Sequence, residues 1–461
     1  MEALVPTAAL EELGELVGPA GLLTTASDLA RYEHAPNRLS GRAAFVVRPA
    51  DTAEVAAVLD WAHRHRIRLV PQGANSGLVA AALPDGTGVL STERLRGRFD
   101  VDVTGRTLVV SAGWNLDEIN ERLAADGLHL PVEVGSSPSA GGMVSTNTAG
   151  SHLIKYGDVR SRVLGLRAAV PDSAGTVLDL LRPLRKRNEG LDLKQVFIGT
   201  AGAYGVVTEA AFELAPLPAS RAAAWLAVPE QHLLDVLTDL ESRCGPALSA
   251  YEVVSPTAVR LLADHFPQLT HRVPDSGGFL VLVEVAAADD QADDLLTSGL
   301  EAATDRGLLT DARVGPAHHM WEVRHAIPEI TERMDPVLSL DLAVPRSCIA
   351  ACRADVVAQL ALAYPHIEPI ELGHYGDGGI HLILPLPEDI AADRDAVNAL
   401  RMFVYDIVVH RHGGTFSAEH GIGPKNYDAY LRYVPEQVRM VAGALKSHFD
   451  PRDVLGSVSL R

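Results

Sequence analysis

The stretch Pro71-Gln72-Gly73-Ala74-Asn75-Ser76-Gly77-Leu78 combines turn-forming residues with little side-chain bulk. It follows a strand–helix–strand pattern. Phe45-Val46-Val47 reads as a strand, Thr52 to Arg64 has apolar residues at helical spacing behind an Asp51 or Thr52 cap, and Leu69-Val70-Pro71 begins the next strand. A backbone can approach a phosphate closely at such a loop, although a tight surface turn accounts for the same residues. No Lys-Ser/Thr pair follows the glycines, which excludes a Walker loop.

A second small-residue stretch, Ser136 to Gly150, follows a strand at Thr107 to Gly113 and an amphipathic segment at Asn115 to Ala125. Its backbone N–H groups and hydroxyls suit an anion, and a buried, tightly packed loop is the alternative. In a third stretch, Leu184 to Glu209, glycines are interleaved with apolar residues, which suits a backbone passing beneath a flat aromatic system. Together the stretches predict one extended, pyrophosphate-bearing cofactor.

The composition is that of a globular protein of more than one domain, with 461 residues, 47% apolar and 21% charged. A net charge of −19 argues against a general nucleic-acid surface, and the basic run Arg182 to Arg187 is interpreted as a solvated loop rather than a polyanion site. No apolar run reaches membrane-spanning length and the N-terminus lacks a basic secretion region, so we expect a cytoplasmic protein. Three cysteines are too few for a disulfide framework or an iron–sulfur cluster.

Domain boundaries are predicted from changes in composition and in the pattern of predicted strands and helices along the sequence. The Pro-rich segment Leu214 to Pro218 marks the end of a first domain, residues 1–215. Residues 216–395 alternate strands, such as Gly278 to Val285, with helical patterns and predict an α+β domain. Residues 396–461 are predicted as a largely helical segment that packs back on the rest and completes the active site.

A candidate metal site lies in the C-terminal half. His374 and His381 flank a glycine-rich turn, and Glu419-His420 adds a carboxylate beside an imidazole. Nitrogen and oxygen ligands of this kind suit zinc or manganese, while a histidine pair with only a structural role is the alternative. Because adjacent side chains diverge in a strand or a helix, Glu419 and His420 are expected to face different partners.

The three glycine-rich stretches, in this order and spacing, resemble the FAD-binding domain of the vanillyl-alcohol oxidase family, and most closely its branch of D-2-hydroxyglutarate and D-lactate dehydrogenases. The resemblance implies an α+β fold: an FAD-binding domain of two α+β subdomains and an α+β cap domain with an antiparallel sheet. It implies non-covalent FAD, because no His or Cys lies in Pro71 to Leu78. The implied FAD contacts are Gly73, Asn75, Ser76, Gly77 and Leu78 in the first loop, Ser137, Gly141, Gly142, Asn147 and Gly150 in the second, and the Val207 backbone near the isoalloxazine ring.

The resemblance also implies an activity, the oxidation of a D-2-hydroxy acid to the 2-oxo acid by hydride transfer to the flavin. The implied metal ligands are His374, His381 and Glu419, and the implied catalytic base is His420. Arg324 matches an arginine that binds the substrate carboxylate, with a surface ion pair as its alternative role. An electron-transferring flavoprotein or oxygen is the expected electron acceptor, no nucleic-acid or membrane partner is expected, and a homodimer is compatible with the sequence.

Several residues depart from the pattern of the relatives. Gly379 replaces an asparagine, Ala201 a glutamate, and Gly456-Ser457 an Asn-Pro pair. Pro328 and Ser339 stand where the glutarate enzymes carry a threonine and a lysine. We therefore expect 2-hydroxyglutarate to be a poor substrate. Two other functions stay open, an FAD-dependent oxidase or tailoring enzyme acting on a larger alcohol and a non-catalytic FAD-binding protein.

Overall fold

The computed structural model describes residues 5–36, 39–334 and 336–461, which form two compact units. Unit 1 consists of Met1–Ala149, Asp158–Pro216 and Glu419–Arg461, and unit 2 consists of Gly150–Gly157 and Leu217–Ala418. The predicted divisions lay after residues 215 and 395. The observed units instead give the short segment Gly150–Gly157 to unit 2 and divide the C-terminal stretch after Ala418.

Several helices begin at a residue whose side chain caps them, among them the helices that start at Thr52, Ala140, Val159, Pro256 and Arg394. Asp51 accepts a hydrogen bond from the Glu54 N–H (2.9 Å) at the start of the helix predicted over Thr52 to Arg64. Within the described ranges, no helix is both long and apolar enough to cross a lipid bilayer. The α-helices are α1 Thr7–Val17, α2 Ala26–Leu29, α3 Thr52–His65, α4 Leu116–Leu123, α5 Ala140–Thr146, α6 Leu153–Tyr156, α7 Val159–Arg162, α8 Leu233–Cys244, α9 Pro256–His265, α10 Ala292–Asp305, α11 Ala317–Arg333, α12 Ile349–Ala363, α13 Glu388–Ala391, α14 Arg394–Asp406, α15 Tyr427–Tyr433 and α16 Glu436–Phe449.

Unit 1 contains two main sheets. Its strands are β1 Leu22–Leu23, β2 His34–Ala35, β3 Leu39–Ser40, β4 Arg42–Val47, β5 Leu69–Gln72, β6 Asp85–Ser91, β7 Phe99–Asp102, β8 Thr107–Ser111, β9 Leu128–His129, β10 Val163–Ala169, β11 Val177–Asp179, β12 Val206–Glu213 and β13 Ala215–Pro216. One sheet has the order β1-β4-β6-β5, in which β4 and β5 run parallel to β6. The other is antiparallel, with the order β11-β10-β12-β8-β7. The first sheet contains the strand–helix–strand unit that the sequence predicts.

The C-terminal residues of unit 1 complete its first sheet. Val454–Gly456, here called the C-terminal strap, pairs with Leu69: the Leu69 N–H donates to the Val454 carbonyl (2.8 Å) and the Gly456 N–H donates to the Leu69 carbonyl (2.9 Å). Lys446 on α16 is fully buried beside the strap. Its ammonium donates to the Leu455 and Ala203 carbonyls (2.7 and 2.8 Å) and to Asp450 Oδ2 (2.6 Å), so all three of its N–H groups have partners.

Unit 2 is built on one seven-stranded antiparallel sheet. Its strands are β14 Ser220–Val228, β15 Leu248–Val254, β16 Phe279–Ala287, β17 Asp311–Gly315, β18 Val337–Ala343, β19 Ile370–Gly373 and β20 Gly379–Pro385. They lie in the order β17-β14-β16-β15-β19-β20-β18. Helices α9 and α11 pack their apolar residues against one face of the sheet, where Trp225, Leu282 and Met320 belong to the buried core. The predicted α+β class with an antiparallel cap sheet is confirmed.

Candidate active site

The first two glycine-rich stretches lie together in unit 1. Ser139, the N-cap of α5, places its Oγ where a side chain at Gly73 would begin, only 2.2 Å from an ideal Cβ. A Cβ at Gly141 would lie 2.7 Å from Ala112 Cβ and 3.3 Å from the Val207 carbonyl oxygen. Only glycine allows the backbone segments to approach this closely, so the stretches form one surface with little side-chain bulk.

The third stretch joins the same surface. The Gly199 and Ala201 N–H groups donate to the Val144 and Ser145 carbonyls of α5 (3.1 and 2.7 Å). Gly202 adopts a φ of +76°, and a Cβ there would lie 3.0 Å from Pro71 Cγ. All three segments that the sequence analysis singled out therefore meet in unit 1, although up to 130 residues separate them in the chain.

A polar cavity of about 560 Å³ opens beside the first loop. It is lined by the loop residues Gln72 to Asn75, by Ser139 and by a ring of charged side chains that includes Arg31, Arg48, Glu93, Arg94 and Arg96. Gln72 Nε2 donates to the Tyr32 and Ala82 carbonyls (2.9 Å each), which fixes the start of the loop. Arginines and open backbone suit a phosphate-bearing ligand, because guanidinium groups bind phosphate oxygens in a bidentate manner.

Two asparagines predicted as FAD contacts use their side chains within the protein. Asn75 Nδ2 donates to the His34 carbonyl (2.7 Å). Asn147 accepts from the Arg160 N–H (2.8 Å) and donates to Asp158 (2.9 Å), and both asparagines have a positive φ. Their side-chain amides therefore stabilise the loops in which the two asparagines lie.

The remaining predicted contacts lie at the same loops. Ser137 Oγ accepts from the Asp117 N–H (3.3 Å). Ser76, Leu78 and Gly142 are half-buried, and Gly77 is exposed. Gly150 is buried and begins the segment that belongs to unit 2.

The two histidines of the candidate metal site lie side by side in unit 2. His374 directly follows β19 and His381 lies on β20, so the turn between the strands brings their rings to 4.9 Å between centroids at an interplanar angle of 89°. Gly378 makes this turn possible, because its φ is +99° and a Cβ would lie 2.4 Å from the Val344 carbonyl oxygen. The sequence-predicted pairing of His374 with His381 is thus present in the structure.

A buried carboxylate that the sequence analysis missed contacts this turn. Glu252 on β15 is fully buried, and its Oε1 lies 2.6 Å from His374 Nδ1 while its Oε2 accepts from Arg324 Nε (3.0 Å). Burial by itself would raise the pKa of Glu252, but the charges of His374 and Arg324 and their hydrogen bonds outweigh it and lower the pKa to about 2. Glu252 is therefore a carboxylate at neutral pH.

Asp341 is a second acidic group that the sequence did not single out. It is buried on β18 directly opposite His381, with its Oδ1 3.7 Å from His381 Nδ1. Its Oδ2 accepts from the Ala418 N–H (2.9 Å). Asp377, inside the turn, accepts from the Gly379 N–H (2.9 Å), and burial raises its pKa.

Glu419 and His420 follow Ala418 and belong to unit 1. Glu419 Oε1 and His420 Nε2 lie 3.7 Å apart, and both side chains are about one-fifth exposed. The ends of the two side chains approach each other because residues 417–423 form an irregular loop rather than a strand or a helix, and the expectation that they face different partners stays a prediction. A substrate or cation beside one of these side chains would therefore lie near both.

Arg324 is buried on α11 and only 6% exposed, so it is not part of a surface ion pair. Within the part of the chain that the structure describes, its hydrogen bonding is confined to the Nε contact with Glu252, and its terminal nitrogens make no further hydrogen bond. Pro328, four residues further along α11, is exposed, and Ser339 on β18 is half-buried. Neither residue carries a charge that could assist Arg324.

Glu252 and Asp341, which the sequence did not single out, share one property. Only the pairing of strands brings them next to His374 and His381. Val253 pairs with Gly373, which places Glu252 opposite His374, yet 122 residues separate the two in the chain. A single glutamate in Ala250-Tyr251-Glu252-Val253-Val254 forms no motif. The one feature of the sequence that could have indicated Glu252 is that a charged residue lies within an apolar strand.

Comparison with known proteins agrees with these features. The family description "FAD binding domain" matches residues 43–181, and "FAD linked oxidases, C-terminal domain" matches residues 217–458. The chain is 32% identical over 425 residues to the mitochondrial D-2-hydroxyglutarate dehydrogenase of Bos taurus, covering 90% of this chain and 76% of that protein. It is 30% identical over 465 residues to the D-2-hydroxyglutarate dehydrogenase of Xanthomonas citri pv. viticola, covering 96% and 94%.

A solved structure shows the same fold at low sequence identity. Substrate-bound p-cresol methylhydroxylase superposes with a TM-score of 0.72 at 15% identity, covering 97% of this chain and 95% of that one. The family resemblance predicted from the glycine stretches is confirmed. The chain belongs to the family of FAD-linked oxidases and is an FAD-linked oxidoreductase.

Proposed function

We propose that this protein oxidises a D-2-hydroxy acid to the corresponding 2-oxo acid, with FAD as its cofactor and a divalent cation as an aid. The observation that carries the proposal is the pair of rings, His374 and His381, held 4.9 Å apart in a chain whose relatives include enzymes named D-2-hydroxyglutarate dehydrogenases. Two imidazoles this close, in an oxidoreductase of this family, favour hydroxy-acid chemistry over a non-catalytic FAD-binding role.

The residues of unit 1 fit FAD. The glycines at positions 73 and 141 let the first two stretches pack closely together, and the arginine-lined cavity beside the first loop fits phosphate. FAD, when bound, accepts the two electrons of the alcohol oxidation. We expect the cofactor to be non-covalent because Pro71 to Leu78 contain no His or Cys.

The residues of unit 2 fit a divalent cation. When His374 donates its Nδ1–H to Glu252, its Nε2 is the nitrogen that presents a lone pair, the usual arrangement of a metal-binding histidine. We propose His374 and His381 as two ligands. Glu419 is the proposed third ligand because it directly follows Ala418, whose N–H is bonded to the Asp341 carboxylate opposite His381. Such a cation, zinc or manganese, supplies Lewis-acid polarisation of a hydroxyl.

Two further side chains have proposed roles toward the substrate. His420 takes the hydroxyl proton, because imidazole is a base near neutral pH. Arg324 binds the C1 carboxylate through its terminal nitrogens. In the balanced reaction the O–H and Cα–H bonds break, a C=O bond forms, and two electrons and two protons leave the substrate.

The substrate tail is proposed to be apolar or neutral. A second carboxylate would need a second cation in addition to Arg324. Pro328 and Ser339 offer no charge. D-2-hydroxyglutarate is therefore proposed to be a poorer substrate than a hydroxy acid with an aliphatic or aromatic side chain. An electron-transferring flavoprotein or oxygen is the proposed final acceptor.

Anaerobic mixing of the purified protein with D-2-hydroxy acids tests the reaction. Bleaching of the flavin absorbance by hydroxy acids supports the proposal. Bleaching only by larger alcohols supports an alcohol oxidase instead, and no bleaching by any of them indicates a non-catalytic FAD-binding protein.

Three variants test the assigned roles. His374→Ala and Glu419→Ala should lower metal content and turnover together while FAD content stays near that of the wild type. His420→Ala should keep both metal and FAD and lose about two to four decades of rate, the usual contribution of a general base. Full metal content in Glu419→Ala would reverse the roles of Glu419 and His420.

A further inference from the structure

The core of unit 2 contains a carboxylate where apolar residues would serve packing better. On β15, Ala250, Glu252 and Val254 face the same side of the sheet by strand alternation, and Ala250 and Val254 belong to the apolar core beneath α11. Burying a charge in such a place costs free energy, and buried ion pairs are often no more stabilising than apolar residues of the same size. Packing alone therefore gives no reason for Glu252.

The two carboxylate oxygens of Glu252 contact two different residues, and these residues have different proposed roles. Oε1 bonds the ring of His374, a proposed metal ligand, and Oε2 bonds the guanidinium of Arg324, the proposed carboxylate-binding group. Fixing Nδ1 of His374 sets both the tautomer and the direction of Nε2. Fixing Nε of Arg324 turns the paired terminal nitrogens of the planar guanidinium in one direction.

We propose that Glu252 is a positioning residue that holds the metal-binding histidine and the carboxylate-binding arginine in one fixed relation. This inference rests on the proposed function and deepens it. A 2-hydroxy carboxylate presents its hydroxyl and its C1 carboxylate at a fixed short separation, so its recognition needs two protein groups with a matching separation. One rigid carboxylate that bonds both groups meets that need better than two independent partners would.

The test uses the purified FAD-loaded protein and two binding measurements. Zn(II) affinity is measured by competition with a chelator, and pyruvate affinity by perturbation of the flavin spectrum. Glu252→Gln keeps the shape but has one acceptor oxygen, so it cannot serve both an imidazole N–H and a guanidinium N–H. We expect Zn(II) to bind about 10- to 100-fold more weakly, the usual effect of losing the partner of a ligand histidine. Pyruvate should bind about 3- to 10-fold more weakly, as for the loss of one hydrogen bond.

Glu284 provides a matched control in the same sheet. It is also a buried glutamate beside a histidine, with Oε1 3.1 Å from His152 Nε2 and Oε2 accepting from Trp321 Nε1 (2.8 Å), and it contacts neither His374 nor Arg324. Glu284→Gln should leave both affinities within about twofold of the wild type. Equal losses in the two variants would mean general damage to the sheet and would overturn the proposal, as would unchanged affinities in Glu252→Gln.

Glu252→Asp covers the case in which the Gln variant fails to fold. It keeps the buried charge and should retain FAD, but the side chain is one methylene shorter and cannot reach both partners. Wild-type affinities for Zn(II) and pyruvate in this variant would overturn the proposal. If the wild-type protein itself binds neither Zn(II) nor Mn(II), the metal of the proposed function is refuted. The pyruvate measurement then decides on Glu252 alone: a loss supports its role and no change refutes it.

Discussion

Replacing Lys446 by methionine should destabilise the C-terminal strap of unit 1 by about 3–5 kcal/mol, the usual cost of removing one partner of a buried ion pair. Lys446 and Asp450 are both fully buried, and their contact is 2.6 Å. Methionine fills similar space but donates no hydrogen bond. The Asp450 charge loses its cation, and the Ala203 and Leu455 carbonyls lose their donor.

Hydrogen exchange measured by mass spectrometry on peptides covering residues 199–205 and 450–457 is the suitable assay, because it reports local opening. The expected free-energy change corresponds to exchange faster by about two to three and a half decades. Arg260→Met is the matched control, since Arg260 and Glu368 pair with 58% and 66% of their side chains exposed. Exposed ion pairs contribute about 0–1 kcal/mol to stability. In Arg260→Met, exchange of the amides around the substituted residue should therefore change by less than about fivefold.

A second variant separates the charge from the lost hydrogen bonds. In Lys446→Met combined with Asp450→Asn the buried charge is gone, while the amide oxygen can still accept from the Val454 or Leu455 N–H. We expect part of the stability to return. A buried ion pair that stabilises the strap is refuted if Lys446→Met changes exchange at residues 450–457 no more than Arg260→Met does, or if the double variant is less stable than the single one.

Three further outcomes are expected. Acid precipitation should release all FAD into the supernatant, and yellow colour that stays in the protein pellet would contradict non-covalent binding. Burial would raise the pKa of Glu284, but the close His152 imidazole, with Nε2 3.1 Å from Glu284 Oε1, and the Arg221 charge lower it to about 2. A lowered pKa stabilises the fold above the unfolded value of 4.5, so unit 2 should lose this stability as the pH falls from about 4.5 to about 2, and melting curves of Glu284→Gln should show a smaller loss. The ratio kcat/KM should be lower for D-2-hydroxyglutarate than for D-lactate or a longer aliphatic or aromatic D-2-hydroxy acid. If one charged partner of the second carboxylate is missing, the difference should be about one and a half to three and a half decades. A clear preference for the glutarate compound would show that other residues supply the charge.

Local patterns predicted much of unit 1. The cap at Asp51 and the helix behind it follow from side-chain chemistry within a few residues, and the glycine at position 73 is needed because Ser139 occupies the space of a side chain. The sequence indicated a loop with small side chains at Gly73. It could not indicate that Ser139 would be the neighbour, since that contact depends on how α5 meets the end of β5.

Only part of the candidate site in unit 2 could be predicted from the sequence. His374 and His381 are seven residues apart and the glycines between them predict a turn, so their pairing could be expected. Glu252 and Asp341 reach them through the register of β15 with β19 and of β18 with β20, which no local pattern encodes. For Asn147, its position in a glycine-rich stretch favoured a cofactor contact, which stays a prediction, whereas the contacts of its amide with Asp158 and Arg160 depend on the fold.

The pairing of Leu69 with the C-terminal strap has a consequence for biosynthesis. A ribosome makes β5 some 380 residues before the strap that completes its sheet, and the whole of Leu217–Ala418 is made in between. The pairing of Leu69 therefore cannot form before residues 454–456 have been made, whereas the seven strands named in the sheet of unit 2 have all been made by residue 385. Because domains generally fold as their residues become available, unit 2 should fold first and FAD should be captured only after the strap has left the ribosome.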